Sequence, residues 1–132
     1  MRLFTRLVLP VVLLLSGAGP APAQGTKYEA ENGTLTGSVS VQTTVAGFSG
    51  TGYAGIFEND GDKAAVTFNL SAAGNYDLYI GYAGPYGDKK NILTINSNSI
   101  EASFPASPAF TETACGRVRL KEGSNTISIT KS

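Results

Sequence analysis

Apolar residues alternate with polar or small ones along much of the chain, and this period of two is the feature that most restricts its fold. Every second residue is apolar in the segment 64–70, and the segment 76–82 repeats the pattern. Such spacing is typical of strands with one buried face, so Asn69 is expected to face outward. The small and turn-forming residues 71–74 separate the two segments, which predicts a hairpin between them.

Further short apolar segments extend this pattern over the rest of the chain. They lie at residues 39–41, 92–95, 118–120 and 127–129. Clusters of Gly, Asn and Ser at 96–99 and 121–125 predict tight connections, and no window carries a helical apolar stripe. About eight to ten strands are expected, which predicts an all-β sandwich of two antiparallel sheets in one domain.

Composition excludes several functional classes. The chain has 132 residues, ten Lys and Arg against ten Asp and Glu, one Cys and no His. Without an imidazole, Ser-His-Asp triads, Cys-His pairs and His-ligated zinc sites are impossible. A single Cys excludes zinc ribbons, iron–sulfur clusters and intrachain disulfides. No strongly basic patch indicates a nucleic-acid partner.

The first 23 residues have the organisation of a secretory signal peptide. Arg2 and Arg6 precede an apolar run at 7–15, and Ala21-Pro22-Ala23 provides an A-x-A cleavage site. The run is too short to span a bilayer, so a membrane anchor is not expected. These features predict a secreted mature chain over residues 24–132, in which the lone Cys115 is expected to be buried.

Glu29 and Glu31 are the first candidates for a functional site. Two residues apart on a strand, their carboxylates would project from one face about 7 Å apart. An oxygen-only pair of this kind suits Ca²⁺ better than zinc or copper. The alternative is a solvated polar face on an edge strand.

An acidic loop at residues 57–62 provides a second candidate. Glu58, Asp60 and Asp62 surround a turn-forming Asn-Asp-Gly sequence but do not form an EF-hand loop. Two of them could act as the acid and base of a glycosidase, which needs paired carboxyl groups. The alternative is that all three are solvated turn residues.

The stretch 82–91 combines Tyr rings with Asn, Asp and Lys. Sugars stack their C–H faces on aromatic rings and bond their hydroxyls to such polar groups. The alternative is a surface loop with one Tyr folded onto the core. The glycine-rich run 47–55 lacks a phosphate-loop motif, but its carbonyl groups could point at the cation proposed beside Glu29 and Glu31.

Five short motifs, taken in their order along the chain, resemble carbohydrate-binding modules of families 6 and 35, and family 35 more closely. They are Tyr28-Glu29-Ala30-Glu31, Gly47-Phe48-Ser49-Gly50-Thr51-Gly52-Tyr53, Asp60-Gly61-Asp62, Ala73-Gly74-Asn75-Tyr76 and Gly123-Ser124-Asn125-Thr126-Ile127. The resemblance covers nearly all of residues 24–132.

The resemblance implies a monomeric, non-catalytic β-jelly-roll module that binds plant or microbial polysaccharide such as mannan or xylan. Such a module usually accompanies a glycoside hydrolase. It also implies a structural Ca²⁺ held by Glu29 and Glu31, by backbone oxygens near Phe48 and Ser49, and by a late Asp. The implied sugar site lies in loops at one end of the sandwich, with the following candidate residues: Phe57, Asn59, Tyr82, Tyr86, Asn91 and Phe110.

One departure from the family concerns the last strand. Members typically continue past the strand matching residues 126–130 into a final strand that carries the late Asp. The sequence printed here ends at Ser132, so a missing last strand is expected. Two other functions stay open: a small secreted glycoside hydrolase that uses the acidic loop, and a structural or adhesive cell-wall protein.

Overall fold

The computed structural model describes residues 10–15, 26–44, 47, 51–84 and 87–132. These residues form eleven strands and one short 3₁₀ helix, η1 (Ala30–Asn32). The strands are β1 (Pro10–Leu15), β2 (Thr26–Glu29), β3 (Thr34–Thr36), β4 (Ser40–Gln42), β5 (Tyr53–Gly55), β6 (Lys63–Leu70), β7 (Gly74–Gly84), β8 (Lys89–Ile95), β9 (Asn98–Phe104), β10 (Ser107–Leu120) and β11 (Gly123–Lys131).

Two antiparallel sheets hold most of these strands. One has the order β10-β7-β1-β2 and the other the order β3-β6-β11-β8-β9, while β4 and β5 form a separate ribbon. The predicted β-sandwich is confirmed. Since the one helix among the described residues has three residues, none of them forms a helical membrane span.

The core lies between the inner faces of the two sheets. The alternation predicted for residues 64–70 is confirmed in β6, where Ala64, Val66 and Phe68 are buried and Asn69 is exposed. In β7 the side chains of Tyr76, Leu78, Ile80 and Tyr82 are buried in the same way. Apolar residues of β8 and β11 complete the core, with Leu93, Ile127 and Ile129 almost fully buried.

The predicted hairpin between residues 64–70 and 76–82 is wrong. β6 pairs with β3 and β11, whereas β7 pairs with β1 and β10, so residues 71–73 connect the two sheets. A short turn sequence is compatible with either connection, because its chemistry does not specify which sheet the next strand joins.

The predicted strand geometry of Glu29 and Glu31 is also wrong. β2 ends at Glu29, and Glu31 lies in η1. Gly33 closes this turn by donating its N–H to the Ala30 carbonyl at 2.9 Å, and a side chain on Gly33 would collide with the Ala65 carbonyl. The chain therefore bends sharply between the two carboxylates.

Part of the predicted signal peptide is ordered into a sheet. Residues 10–15 form β1, which pairs antiparallel with β2 on one side and β7 on the other. The other residues of the predicted leader, 1–9 and 16–23, lie outside the described residues. Cleavage after Ala23 therefore stays a prediction.

Candidate functional site

Loops from both sheets gather at one end of the sandwich. Gly84 lies opposite Ser107 at the end of β7, and β8 of the other sheet begins at Lys89. Lys89 in turn lies opposite Phe104. We call this the loop end and define it by the described residues 56–62, 84, 87–88 and 104–111. It is the end at which the sequence predicts a sugar site.

Asp62 organises the first of these loops from a buried position. Its side chain is only 4% exposed, and Oδ2 accepts the backbone N–H groups of Glu58 and Asn59, both at 2.9 Å. Oδ1 accepts the N–H of Ser38 at 3.0 Å. Burial by itself would raise the pKa of Asp62, but these hydrogen bonds hold it below its ordinary value. The carboxylate is therefore an ionised anchor for the loop.

Lys131, at the end of β11, holds the same loop through hydrogen bonds. Its carbonyl accepts the N–H of Gly61 at 2.8 Å, and its own N–H donates to the Asp62 carbonyl at 2.9 Å. Its ammonium group lies 3.5 Å from the exposed carboxylate of Asp60. The loop thus presents Glu58, Asn59 and Asp60 to solvent on a well-anchored backbone.

Asn59 is the predicted sugar contact that this loop exposes. Its Nδ2 donates to the Ser38 hydroxyl at 2.8 Å, which orients the amide at the surface. The carboxamide oxygen and the second amide hydrogen can serve a ligand hydroxyl.

Phe57 and Tyr82, in contrast, are core residues, which corrects their predicted role as stacking platforms. Phe57 is 0% and Tyr82 3% exposed. The Tyr82 ring packs edge-on against Phe104 at a centroid distance of 5.2 Å, and its hydroxyl donates to the Pro105 carbonyl at 2.7 Å. Neither ring offers a face to a sugar in this arrangement.

Asn91 is likewise buried, at 1% exposure, on the inner face of β8. Among the described residues its Nδ2 has no hydrogen-bond partner. In this arrangement it lies beneath the loop end and not at its surface. Tyr86, the remaining predicted contact of the 82–91 stretch, lies outside the described residues.

Asp88, which the sequence does not predict as a site residue, makes a hydrogen bond that joins two segments of this end. Asp88 accepts the N–H of Ala106 at 2.7 Å through Oδ1, next to the bond between Tyr82 and Pro105. The two contacts tie Tyr82 and Asp88 to Pro105 and Ala106. Asp88 lies 18 positions from Ala106 in the sequence, so no local sequence pattern predicts this hydrogen bond.

Among the described residues, Phe110 is the predicted aromatic contact that stays accessible. It is half-buried in β10 and packs its ring on Tyr53 at a centroid distance of 5.6 Å and an interplanar angle of 58°. Tyr53 is fully buried, and its hydroxyl lies 2.9 Å from that of Thr44. Gly47 approaches Phe110 closely, since a side chain there would lie 3.2 Å from the ring. The Phe110 ring therefore packs against Tyr53 and Gly47 on one side while part of it faces solvent.

The predicted cation site can be described only in part. Glu31 is 8% exposed and Glu29 half-buried, and Phe48 and Ser49 lie outside the described residues. Glu29 also lines a cavity of about 340 Å³ with Tyr28, Asn32 and Thr67. The described residues contain no group of three or more acidic or Cys side chains that could hold a metal. The donors present are carboxylate oxygens, and one of the two carboxylates is almost buried, so their chemistry fits Ca²⁺.

The acidic loop does not have the geometry of a catalytic acid–base pair. Asp62 uses both carboxylate oxygens for three backbone N–H groups, and Glu58 and Asp60 are exposed. A general acid needs an environment that raises its pKa, whereas the pKa of Asp62 is lowered. Asp62, the one buried carboxylate of this loop, is therefore unsuited to be the catalytic acid, which argues against the glycosidase alternative.

Comparison with known proteins identifies a family. The model of the family described as carbohydrate binding module (family 35) matches residues 26–132 of this chain. Mannan endo-1,4-beta-mannosidase B of Piromyces sp. is 40% identical over 111 residues, which are 83% of this chain and 19% of that protein. Mannan endo-1,4-beta-mannosidase of Thermothelomyces thermophilus is 37% identical over 113 residues, 85% of this chain and 23% of that protein.

Solved structures share the fold. The Podospora anserina GH26-CBM35 beta-(1,4)-mannanase aligns with a TM-score of 0.76 and 39% identity, over 80% of this chain and 24% of that one. CBM35 from Paenibacillus barcinonensis aligns with a TM-score of 0.73 and 25% identity, over 82% of this chain and 88% of that one. The chain thus matches a whole isolated module but spans only about a fifth of the curated enzymes it resembles.

Proposed function

The chain belongs to family 35 of the carbohydrate-binding modules, and we propose that its ligand is a mannan and that it holds a glycoside hydrolase on that polysaccharide. The observation that carries the proposal is its 40% and 42% identity to two mannan endo-1,4-beta-mannosidases of Piromyces sp.. In those proteins the matched part is 19% and 17% of the length, so hydrolysis itself is attributed to other parts of them.

Recognition would take place at the loop end without breaking any bond. Phe110 offers a partly exposed ring, supported by Tyr53, on which the C–H face of a pyranose can stack. Asn59, on the loop anchored by Asp62, offers an oriented amide for sugar hydroxyls. Tyr82, Phe57 and Asn91 contribute by packing beneath these loops.

A structural calcium ion is part of the same proposal. Glu29, at the end of β2, and Glu31, in η1, would hold it through their carboxylate oxygens. Glu31 supports this assignment because its carboxylate is only 8% exposed and carboxylate oxygens are the ligands that Ca²⁺ prefers. The backbone near Phe48 and Ser49 stays a predicted source of further oxygen ligands.

We also propose an extracellular location. The family match begins at residue 26, just after the A-x-A sequence at 21–23, as expected if the leader is removed to release the module. A polysaccharide ligand of plant or microbial origin is found outside the cell, which is consistent with this route.

Affinity electrophoresis tests the ligand and the site together. The protein is run through gels that contain mannan, xylan or galactan, and we expect retardation in mannan. Phe110→Ala should weaken retention about tenfold, the loss expected when one stacked ring is removed. Ile100→Ala is its control, because Ile100 is 49% exposed on β9, outside the loop end.

Asn59→Ala should weaken retention as well, with Asn69→Ala as its control, because Asn69 is exposed on β6. If mannan retards the protein and none of these variants changes the retardation, the proposed site is refuted but the proposed ligand is supported. A folded protein that no gel retards would refute the proposed ligand.

A further inference from the structure

Two short sequences of the module match the acceptor pattern for N-linked glycans, and the proposed carbohydrate binding does not use them. They are Asn32-Gly33-Thr34 and Asn69-Leu70-Ser71, in which a residue with a hydroxyl group follows two positions after an Asn. Such a triplet accepts a glycan when the residue between is not Pro, as in both cases here. Because triplets of this kind also occur by chance, the structure has to show whether either position can carry a glycan.

Both Asn side chains are exposed and can carry a large group. Asn32 is the last residue of η1, and Asn69 is the next-to-last residue of β6, on the outer face of that strand. Within the described ranges, neither side-chain amide makes a hydrogen bond that a glycan would break. The hydroxyl-bearing residues of the two triplets, Thr34 and Ser71, are exposed as well.

Several other Asn residues are placed where a glycan would disturb the fold. Asn91 and Asn125 are only 1% exposed. The side-chain amides of Asn59 and Asn96 donate hydrogen bonds to residues of other segments. None of these four residues begins an acceptor triplet. The two triplets thus coincide with positions at which a glycan costs no internal contact.

Both positions also lie away from the loop end. β6 begins beside the loop end at Lys63, and Asn69 lies six residues further along the strand, about 20 Å away. Asn32 lines a cavity together with Thr67, which lies about 13 Å along the same strand from Lys63. Glycans at these two positions would therefore leave the proposed sugar contacts uncovered.

We infer that Asn32 and Asn69 are N-glycosylation sites of the secreted protein. The inference rests on the extracellular location proposed above. Relatives of 40% and 37% identity come from the fungi Piromyces sp. and Thermothelomyces thermophilus, in which secreted proteins enter the endoplasmic reticulum. The co-reactant is an oligosaccharide linked to a lipid diphosphate. The Asn Nδ2 atom bonds to C1 of the first sugar, the bond from C1 to the diphosphate oxygen breaks, the lipid diphosphate leaves with the electron pair, and one amide proton passes to a base.

The test is translation of the full chain with endoplasmic-reticulum microsomes, which supply the transferase and the oligosaccharide donor. We expect two oligosaccharides on the unmodified chain, one on Asn32→Gln, one on Asn69→Gln and none on the double variant. Electrophoresis before and after treatment with peptide N-glycosidase counts them. This enzyme leaves Asp in place of each glycosylated Asn, so peptide mass spectrometry assigns the sites. Asn75→Gln is the matched control and should keep both oligosaccharides, because Asn75 is exposed but begins no triplet.

A second leader separates failure of the inference from failure of the proposed location. The chain is also translated with a leader of established activity in place of residues 1–23, and protection from added protease reports entry into the microsomes. A protected chain in which Asn32 or Asn69 is unmodified would overturn the inference at that position. Modification behind the second leader alone would refute the proposed location, and with it the inference that the natural protein carries these glycans.

Discussion

The carboxylate of Asp62 accepts the backbone N–H of Ser38, 24 positions earlier in the chain, at 3.0 Å. The other oxygen of the same carboxylate caps the N–H groups of Glu58 and Asn59. Gly37 makes this approach possible, because it has a φ of 76° and a side chain there would collide with Oδ1 of Asp62. One buried ionised group thus couples the loop that carries Asn59 to the segment before β4.

Asp62→Asn should destabilise the protein by about 1–3 kcal/mol, because charge-assisted hydrogen bonds are lost and an amide group then faces backbone donors. The measurement is urea unfolding at pH 7. Asp60→Asn is the matched control, since Asp60 belongs to the same loop but its side chain is 83% exposed. Equal effects of the two substitutions would contradict the anchoring role of Asp62.

Asp62 should also make stability depend on pH in the acid range. Its pKa in the folded protein lies below the ordinary value of 3.8. Its contribution is therefore fully present above that ordinary value and disappears as the pH falls through the lower, folded pKa. The difference in unfolding free energy between the unmodified protein and Asp62→Asn should shrink between pH 5 and pH 2.5. A difference that stays constant over this range would show that Asp62 does not titrate with folding.

Tyr82→Phe should lower stability by about 1 kcal/mol and leave polysaccharide retention unchanged. The substitution removes the hydroxyl that bonds to the Pro105 carbonyl but keeps the ring against Phe104. Thermal unfolding and affinity electrophoresis provide the two measurements, with Tyr79→Phe, half-buried on the same strand, as the control. Loss of retention in a stable Tyr82→Phe protein would return Tyr82 to the list of sugar contacts.

The sequence predicts the strands better than their partners. The alternation in residues 64–70 correctly identifies both the strand β6 and its buried face, because a period of two is a local property of the chain. The predicted hairpin with residues 76–82 is wrong because the destination of a strand depends on packing between sheets. The bend between Glu29 and Glu31 is also missed, since β2 ends at Glu29 and η1 begins at Ala30.

For the candidate site, the sequence predicts contacts in these loops but does not separate the buried candidates Phe57, Tyr82 and Asn91 from the accessible ones. The alternation with a period of two that buries Tyr76 and Leu78 also places Tyr82 on the inner face. The burial of Tyr82 could therefore have been predicted from this alternation. The anchoring bond between Asp62 and Ser38 spans 24 positions and has no local signature. Phe110 stays a predicted sugar contact, and its support by Tyr53 becomes visible only in the folded chain.

Removal of calcium should lower the melting temperature if Glu29 and Glu31 hold the ion, because a ligand that binds only the folded state stabilises it. We expect a chelator to reduce the melting temperature of the unmodified protein by several degrees and to have little further effect on Glu31→Gln. Glu101→Gln is the control, since Glu101 is exposed and paired with Lys90 at 3.2 Å. A melting temperature that the chelator does not change would refute the calcium site, and an equal chelator effect on Glu31→Gln would refute the role of Glu31.

Cys115 should react slowly in the folded protein. Cys115 is only partly buried, and this partial burial raises the pKa of its thiol to about 11 from an ordinary value of 9.0. At pH 8 the thiolate fraction is then ~100-fold smaller than that of an exposed thiol, and the thiolate is the reactive form. Alkylation by iodoacetamide, followed by mass spectrometry, should therefore be about two orders of magnitude slower in the native protein than in urea. Because the chain has one Cys, all modification reports on this position. Native and unfolded rates within a few-fold of each other would mean that the strand around Cys115 opens readily, exposing the thiol to solvent.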